Sequence, residues 1–312
     1  MVEKRGTSGI LAHVVMVLGV LIVAFPLYLA FVASTHTAQE IVQAPMPLLP
    51  GSHLRESYMA ALFGRENAAG SNAPVAHMMW VSLVTALVIA IGKITISLLS
   101  AFAIVYFRFP FRKTVFWAIF VTLMLPLEVR IVPTYAVAAN ALRPFQAILD
   151  VTGLTGLVES LSGIRIALEW RMLNSYSGLI LPLVATATGT FLYRQFFMTI
   201  PEELVEAARM DGAGPIRFLR DILLPLSRTN MAALATIMFV YAWNQYLWPL
   251  LVTTDPNRST VMVQLSRMVP RGDSAPEWHV VMAATLIVML PPLAVVMLMQ
   301  RWFVRGLVAT EK

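Results

Sequence analysis

The sequence predicts an all-α, polytopic membrane protein with six transmembrane helices. Of its 312 residues, 58% are hydrophobic and only 13% are charged, and the mean hydropathy is +0.73. A soluble globular chain usually has about 25% charged residues. Six stretches are long and apolar enough to cross a hydrocarbon core of about 30 Å, which needs about 20 helical residues. A soluble fold could not bury this much apolar surface.

The predicted spans follow one another along the whole chain. The first follows Lys4 and Arg5, but its apolar run exceeds the core of about 7–15 residues in a signal peptide, so we interpret it as a retained anchor. The second has about 30 residues and is expected to tilt or to extend beyond the bilayer. In chain order, the spans are 10–33, 76–106, 114–137, 176–198, 229–253 and 279–303.

The Lys and Arg residues of the connections predict the orientation. One side of the membrane collects thirteen of them and the other side collects eight, and after the acids are subtracted the balance is +6 against −1. Because basic connections stay in the cytoplasm, both termini are predicted to be cytoplasmic. The basic excess is thus a topology signal, and nucleic acid is excluded as a partner.

The connection 199–226 is unusually polar for this chain and falls on the cytoplasmic side. Thr199 can cap a helix, Pro201 suits a first turn, and Gly212 is placed to end the helix in a left-handed conformation. A second helix can begin at Pro215, with apolar residues at helical spacing after it. From amphipathicity alone, this hairpin could lie on lipid headgroups or dock on a partner.

Within this connection, one pattern has a specific spacing. Glu206-Ala207-Ala208, then Asp211-Gly212, is followed after nine residues by Ile222-x-Leu224-Pro225. The pattern resembles the cytoplasmic EAA loop of ABC importer permeases. In that family the loop forms coupling helices that seat in a groove of the ATP-binding subunit. The resemblance therefore favours docking over a headgroup-bound hairpin, and it assigns ATPase coupling to Glu206, Ala207, Ala208, Asp211, Gly212, Ile222, Leu224 and Pro225.

The resemblance covers nearly the whole chain and is greatest to permeases of the carbohydrate-uptake type, among them those of sn-glycerol-3-phosphate importers. It rests also on 97–112, 118–134, 243-WNQYLWPLL-251 and 299–308. It implies the type I ABC importer permease fold in a bacterial inner membrane. The partners it implies are a dimer of ATP-binding subunits, a second homologous permease and a periplasmic solute-binding protein, besides membrane lipid. The chain itself would hold no cofactor and catalyse nothing, since the partner subunits bind and hydrolyse ATP.

Three ionisable residues lie inside predicted spans: Lys93, Glu128 and Arg130. A charge at the bilayer centre costs about 2.5–3.5 kcal/mol on insertion scales, so each side chain should face protein or water. Pro126 and Pro133 flank two of them, which indicates a broken helix lining a cavity. Lys93 and Arg130 could attract an anionic phosphate in the translocation path; alternatively, Glu128 could pair with either cation and hold helices together.

The end of the fifth span adds further candidates for the path. Asn244 and Gln245 are amides, which need hydrogen-bond partners in lipid, and we assign them to the translocation path. The neighbouring Trp243, Tyr246 and Trp248 are typical of an interfacial aromatic belt.

The outer connection 141–171 looks like an insertion relative to the family. Leu154, Leu157, Leu161 and Ile164 predict an amphipathic helix on the outer surface. The insertion could alter docking of the solute-binding protein, or it could be neutral, because surface loops tolerate insertions well.

Several functions lack the residues they need. The chain has no cysteine, its five histidines have no metal-ligand spacing, and Gly92-Lys93-Ile94 departs from the Walker pattern, which needs Ser or Thr after the lysine. The predicted function is the permease subunit of an importer for sn-glycerol 3-phosphate. A permease for a sugar or oligosaccharide is the alternative within the family. An ion-coupled secondary transporter using Glu128 and Lys93 is the alternative from another class, and a polytopic membrane enzyme would need a catalytic constellation that we do not find.

Overall fold

A computed structural model of the chain describes residues 7–64, 74–122, 125–164, 167–185, 187–269 and 277–309, without the side chains of 7–8, 127–128 and 302–309. Every regular element in these ranges is helical, in agreement with the predicted all-α class. The α-helices of the first half are α1 Thr7–Ser34, α2 Ala38–Val42, α3 Leu54–Phe63, α4 Val75–Tyr106, α5 Arg112–Val121, α6 Leu127–Ala139, α7 Arg143–Val151 and α8 Leu154–Ser162. Those of the second half are α9 Tyr176–Val184, α10 Ala187–Phe197, α11 Glu202–Met210, α12 Pro215–Phe218, α13 Leu224–Leu226, α14 Arg228–Trp243, α15 Leu247–Val252, α16 Val261–Met268 and α17 Trp278–Ala309.

Within the described ranges, three single helices are long and apolar enough to cross a membrane: Gly9–Ser34, Val75–Tyr106 and Trp278–Arg301. They match the predicted first, second and sixth spans. Two bent pairs also have the required length and composition, α9 with α10 at 42° and Pro215–Leu226 with α14 at 76°, which gives up to five spans.

The remaining predicted spans are interrupted. The third, 114–137, consists of α5 with 10 residues and α6 with 13, separated by a break before Leu127 at the predicted position. The fifth, 229–253, is not one continuous helix, because α14 ends at Trp243 and α15 begins at Leu247. The count of six spans therefore stays a prediction.

The described part of the chain divides into two compact units. One contains Met1–Met79 and Val263–Pro291, and the other contains Trp80–Met262 and Pro292–Lys312. In the first unit, the turn after α1 is fixed by Thr35, whose hydroxyl accepts a hydrogen bond from the Gly51 amide at 2.7 Å. His36 Nε2 lies 2.8 Å from the Leu49 carbonyl oxygen, and this hydrogen bond, with Glu40 at 3.0 Å, raises the pKa of His36.

The second unit holds every candidate site residue. Its core contains a close contact between α9 and α15, where Trp248 Nε1 donates a hydrogen bond to the Gly178 carbonyl oxygen at 3.0 Å. Trp248 is 1% exposed, and Leu179 is fully buried beside this contact. A Cβ atom on Gly178 would collide with the Met172 carbonyl oxygen and come within 3.1 Å of Val252. Glycine is therefore required at 178 by the packing of the backbone.

Replacing Gly178 with alanine is expected to destabilise the protein by about 1–3 kcal/mol, the usual cost of overpacking a dense core. Thermal unfolding of the purified protein in detergent measures the loss. Gly156→Ala is the matched control, since Gly156 lies on exposed α8 with nothing within 4 Å of an added Cβ, and it should melt at the wild-type temperature or slightly above it. Equal melting of the two variants would contradict the packing argument.

The outer connection contains more helix than the sequence predicts. The amphipathic helix is present as α8, and a further helix, α7, precedes it. Leu154, Leu157, Leu161 and Ile164 are all exposed, at 48, 55, 79 and 67%. The base of this helical pair is tied to the end of α6, where the Ala141 amide donates to the Trp170 carbonyl at 3.0 Å.

Candidate coupling hairpin and cavity

The first helix of the connection 199–226, which we call the coupling hairpin, begins later than predicted and ends as predicted. Thr199 does not cap it: the helix starts at Glu202 after Pro201, and the Thr199 hydroxyl instead donates to the Phe196 carbonyl at 2.7 Å. Gly212 has φ +69°. Its amide donates to Arg209 O at 3.0 Å, and the Ala213 amide donates to Ala208 O at 2.9 Å. These two bonds form a Schellman motif, which satisfies the last carbonyls of α11.

The second helix begins at Pro215, as predicted, after Gly214 at the N-cap position. It continues through one π-helical turn, Leu219–Leu223, into α13. The helix bends at Ser227, which is fully buried and whose hydroxyl donates to Leu223 O at 2.6 Å. A π-helical turn in mid-helix is frequently found at functional sites. The hairpin is thus connected directly, through one bend, to the membrane helix α14.

The residues assigned to coupling divide into two groups. Ala208 is 5% exposed and packs inward, and Ile222 and Leu224 are half-buried. The remaining five lie on the exposed surface of the hairpin: Glu206, Ala207, Asp211, Gly212 and Pro225. The exposed group could contact a partner, whereas Ala208 supports the hairpin from within.

The hairpin also exposes large apolar side chains. Met210 is 83% exposed, Ile216 is 80% exposed and Leu204 is 40% exposed. Ile216 was predicted on the apolar stripe of the second helix, and the structure leaves it uncovered. These side chains lie on the two helices of one hairpin, and contiguous exposed apolar surface marks interaction sites. This surface is suited to a protein partner.

An aromatic cluster joins the hairpin to the membrane helices. Phe218 in α12 is 6% exposed, and its ring meets that of Tyr106, the last residue of α4, edge to face at 5.3 Å. Tyr106 in turn packs against Phe197 at the end of α10 at 5.9 Å, and Phe197 against Tyr193 at 6.0 Å. The sequence did not indicate a role for Phe218, because these rings come from three segments far apart in the chain. The cluster forms a continuous series of ring contacts from the hairpin to α4 and α10.

A cavity of about 550 Å³ lies within the membrane helices of the second unit. Lys93 and Arg130, both predicted for the translocation path, line it together, and no acidic side chain is among its described lining residues. Five serine and threonine side chains also line it: Ser100, Thr122, Thr134, Thr188 and Thr190. A volume of this size is typical of small-molecule sites. The cavity combines two cations with hydrogen-bonding groups.

Lys93 is buried and held in place by its neighbours. Its side chain is 5% exposed, and Nζ lies 4.2 Å from the centroid of the Tyr241 ring. The preceding Gly92 allows a close approach of α9, since an added Cβ would lie 2.9 Å from Val184. A cation over an aromatic face is stabilised by the ring quadrupole without being neutralised. Lys93 can therefore keep its attraction for an anion.

The other residues assigned to the translocation path differ in whether they line the cavity. Arg130 lies in α6 with an exposed side chain. The predicted break is present at Pro126, which precedes α6, but not at Pro133, where α6 continues. The backbone of Glu128 lies in the same helix, but its side chain is outside the described residues, so pairing with Arg130 or Lys93 stays a hypothesis. Asn244 and Gln245 do not line the cavity. They form the break after α14, where Asn244 is the C-cap and Gln245 Nε2 lies 3.4 Å from the Tyr241 carbonyl.

The prediction that Trp243, Tyr246 and Trp248 form an interfacial belt is wrong for the two tryptophans. Trp243 and Trp248 are each 1% exposed, so they lie inside the protein and not at a lipid surface. Trp248 and Tyr241 instead line the cavity. Tyr246 remains at the surface, with 38% exposure.

Comparison with known proteins agrees with this geometry. A family model described as "Binding-protein-dependent transport system inner membrane component" matches residues 93–308. The curated protein "sn-glycerol-3-phosphate transport system permease protein UgpE" of Brucella melitensis biotype 1 is 50% identical, and proteins of the same name from Agrobacterium fabrum and Pectobacterium atrosepticum are each 52% identical. Each alignment covers 100% of both chains.

A solved structure shows the same fold at low sequence identity. It is described as "Crystal structure of a bacterial ABC transporter involved in the import of the acidic polysaccharide alginate". The TM-score is 0.69 at 18% identity, and the match covers 97% of this chain and 99% of the other. At this identity, the likeness extends to the fold alone.

Proposed function

Because the chain belongs to the family of binding-protein-dependent transport system inner membrane components, we propose that it is the permease subunit of an ATP-driven importer for sn-glycerol 3-phosphate. The observation that carries this proposal is the identity of 50–52% over the full length of relatives named for that transport system. The chain is a multi-pass inner-membrane protein, with both termini in the cytoplasm in our proposal.

The importer consists of separate subunits. This chain forms half of the translocation path beside a second, homologous permease, and a periplasmic solute-binding protein delivers the solute. A dimer of ATP-binding subunits binds and hydrolyses ATP, so this chain needs no cofactor and carries out no catalysis. Closure of the ATP-binding dimer favours the outward-facing arrangement, and hydrolysis releases it.

The geometry of the cavity supports an anionic polyol phosphate as the solute. Lys93 and Arg130 provide two cations for the phosphate, and the hydroxyl side chains can donate to or accept from the glycerol hydroxyls. Neutral sugars need no such pair of cations. The cavity therefore favours glycerol 3-phosphate over the sugar alternative within the same family.

The coupling hairpin supports an ATP-driven mechanism over an ion-driven one. Its exposed residues Glu206, Ala207, Asp211 and Gly212 face away from the unit, and the aromatic cluster around Phe218 connects them to membrane helices. An ATP-driven importer needs a docking surface for its ATPase that is joined to its spans, whereas an ion-driven transporter does not. We assign this surface to the ATP-binding subunit.

Uptake of labelled sn-glycerol 3-phosphate by source cells lacking this gene, with and without the wild-type gene restored, tests the function. We expect uptake only when the gene is present, and we expect it to stop when the ATP-binding partner carries a substitution that blocks hydrolysis. Unlabelled glycerophosphodiesters and maltose serve as competitors. Uptake that persists without hydrolysis but collapses with the ion gradient would contradict the importer class, and uptake of a sugar alone would contradict the substrate.

Replacing Phe218 with alanine is expected to uncouple the two ends of the protein. The substitution removes the ring that touches Tyr106, so movement of the hairpin is transmitted less well to α4 and α10. Truncating a buried phenylalanine also costs about 3–5 kcal/mol of stability. We expect the ratio of solute taken up to ATP hydrolysed to fall at least about tenfold. The ratio is measured in vesicles that contain the whole importer. Phe218→Tyr, which keeps the ring, is the control and should retain coupling; equal loss in both variants would contradict the proposed path.

A further inference from the structure

A second cavity, of about 530 Å³, shares no lining residue with the cavity that contains Lys93 and Arg130. Val105, Gln195 and Met198 line it, next to the aromatic cluster that contacts the coupling hairpin. Three cationic side chains line it, Arg112 and Lys113 at the start of α5 and Arg194 in the last turn of α10, and no acidic side chain is among its described lining residues. Within the described part of the chain, none of the three has a carboxylate within 4 Å. Among the described residues, the cavity is therefore a concentrated positive site with no carboxylate to neutralise it.

Another part of this cavity is apolar and aromatic. Phe116, Trp117 and Phe120 of α5 line it, and the Arg194 guanidinium carbon lies 4.1 Å from the centroid of the Phe116 ring. This stacking fixes the guanidinium in place without neutralising its charge. Trp117 and Val121 are 59% and 53% exposed, so an apolar surface continues from the cavity along α5.

The dimensions of α5 match one leaflet of a membrane. From Arg112 to Val121 the helix rises about 14 Å, at about 1.5 Å per residue, and half of a hydrocarbon core is about 15 Å. Two of the three cations, Arg112 and Lys113, occupy one end of this helix, and the exposed apolar residues follow toward the other. A molecule that fits both parts has an anionic head and a hydrocarbon tail.

We propose that this cavity binds an anionic phospholipid of the leaflet on the hairpin side. Arg112, Lys113 and Arg194 hold the headgroup phosphate, and an acyl chain lies along Trp117 and Val121. A neighbouring cavity of about 650 Å³ shares Arg112 and Lys113 and adds Arg108, which extends the basic surface into the connection between α4 and α5. Because α4 and α10 both contribute residues to the cavity, the lipid would bridge the two helices that the Phe218 cluster joins to the hairpin.

Native mass spectrometry of the purified importer, released from nanodiscs of phosphatidylglycerol and phosphatidylcholine in equal parts, tests the proposal. The wild type is expected to retain phosphatidylglycerol selectively. Each of Arg112→Gln, Lys113→Gln and Arg194→Gln should lower its retention about fivefold, and the triple variant about a hundredfold, since each cation near a membrane surface contributes a factor of this size. The matched control removes three exposed arginines elsewhere, Arg55, Arg143 and Arg171, and should retain phosphatidylglycerol as the wild type does.

The outcomes separate the possible occupants. If the triple variant retains phosphatidylglycerol as well as the wild type, or if the wild type retains both lipids equally, the proposal is overturned. If a partner subunit covers the cavity, the wild type retains no lipid, which also overturns it. Inorganic phosphate added to nanodiscs of phosphatidylcholine alone should not protect the complex against heat. If it protects the complex as well as phosphatidylglycerol does, the site belongs to a soluble anion and the lipid proposal is overturned. If the triple variant fails to assemble, Lys113→Gln, at an exposed side chain, still gives the fivefold test.

Discussion

Replacing Gly212 with proline is expected to abolish uptake of the solute while the chain stays in the membrane. Proline fixes φ near −65°, whereas Gly212 has φ +69°, and proline also removes the amide that donates to Arg209 O. The Schellman motif at the end of α11 would be lost, at a cost of about 3 kcal/mol. The exposed surface that we propose to contact the ATP-binding subunit would then lose its shape.

An alanine at the same position provides an intermediate step. Nothing lies within 4 Å of a Cβ added to Gly212, so Gly212→Ala meets no steric clash, and only the left-handed backbone is penalised, by about 1–2 kcal/mol. We expect the uptake of the Gly212→Ala variant to lie between that of the wild type and that of Gly212→Pro. Gly214→Ala is the matched control, because Gly214 is two residues away, has φ −69° and also has open space around its Cα atom. It should transport as the wild type does.

Three measurements together decide the role of the hairpin. Immunoblotting gives the amount of each variant in the membrane, copurification gives the amount of bound ATP-binding subunit, and labelled sn-glycerol 3-phosphate gives the uptake. We expect normal amounts in the membrane with graded loss of the other two. If Gly212→Pro transported normally, or if Gly214→Ala lost as much activity as Gly212→Ala, the hairpin would not be the coupling element.

Local sequence signals predicted the parts of this structure that depend on neighbours in the chain. The apolar runs located α1, α4 and α17 to within a few residues, since a membrane helix is defined by its own composition. Gly212 and Pro215 marked a helix end and a helix start, because both are consequences of backbone geometry at a single residue. The EAA-type spacing located the hairpin, because the whole pattern lies in one continuous segment, from Glu206 to Pro225.

Features that depend on which helix faces meet were not predictable in the same way. Trp243 and Trp248 were predicted to be interfacial residues, because hydropathy does not distinguish a side chain that faces protein from one that faces lipid. Both are buried in the structure. Tyr241 lies over Lys93 although about 150 residues separate them, so no local pattern could pair them. Phe218 carries the contact with Tyr106 for the same reason.

The pair of cations in the translocation cavity is expected to determine which solute passes. Lys93 and Arg130 line one cavity, and a hydrogen bond to a charged group contributes about 1.5–3 kcal/mol. Removing either charge, by Lys93→Met or Arg130→Gln, should therefore lower uptake of sn-glycerol 3-phosphate by about tenfold to a hundredfold. Arg130→Lys keeps the charge at an exposed side chain and should retain most of the uptake. The measurement is uptake by the reconstituted importer with its binding protein saturated.

A structural role for the same cations gives a different result, so the two interpretations can be separated. If Arg130 mainly pairs with Glu128 and holds helices together, Arg130→Gln leaves an unpaired carboxylate in the membrane and lowers the amount of assembled protein. The double variant Glu128→Gln/Arg130→Gln would then restore both assembly and uptake. If Arg130 attracts the phosphate, the double variant assembles but transports no better than Arg130→Gln alone. We expect the second result, because Arg130 lines the same cavity as Lys93, so that both cations are placed to attract one solute.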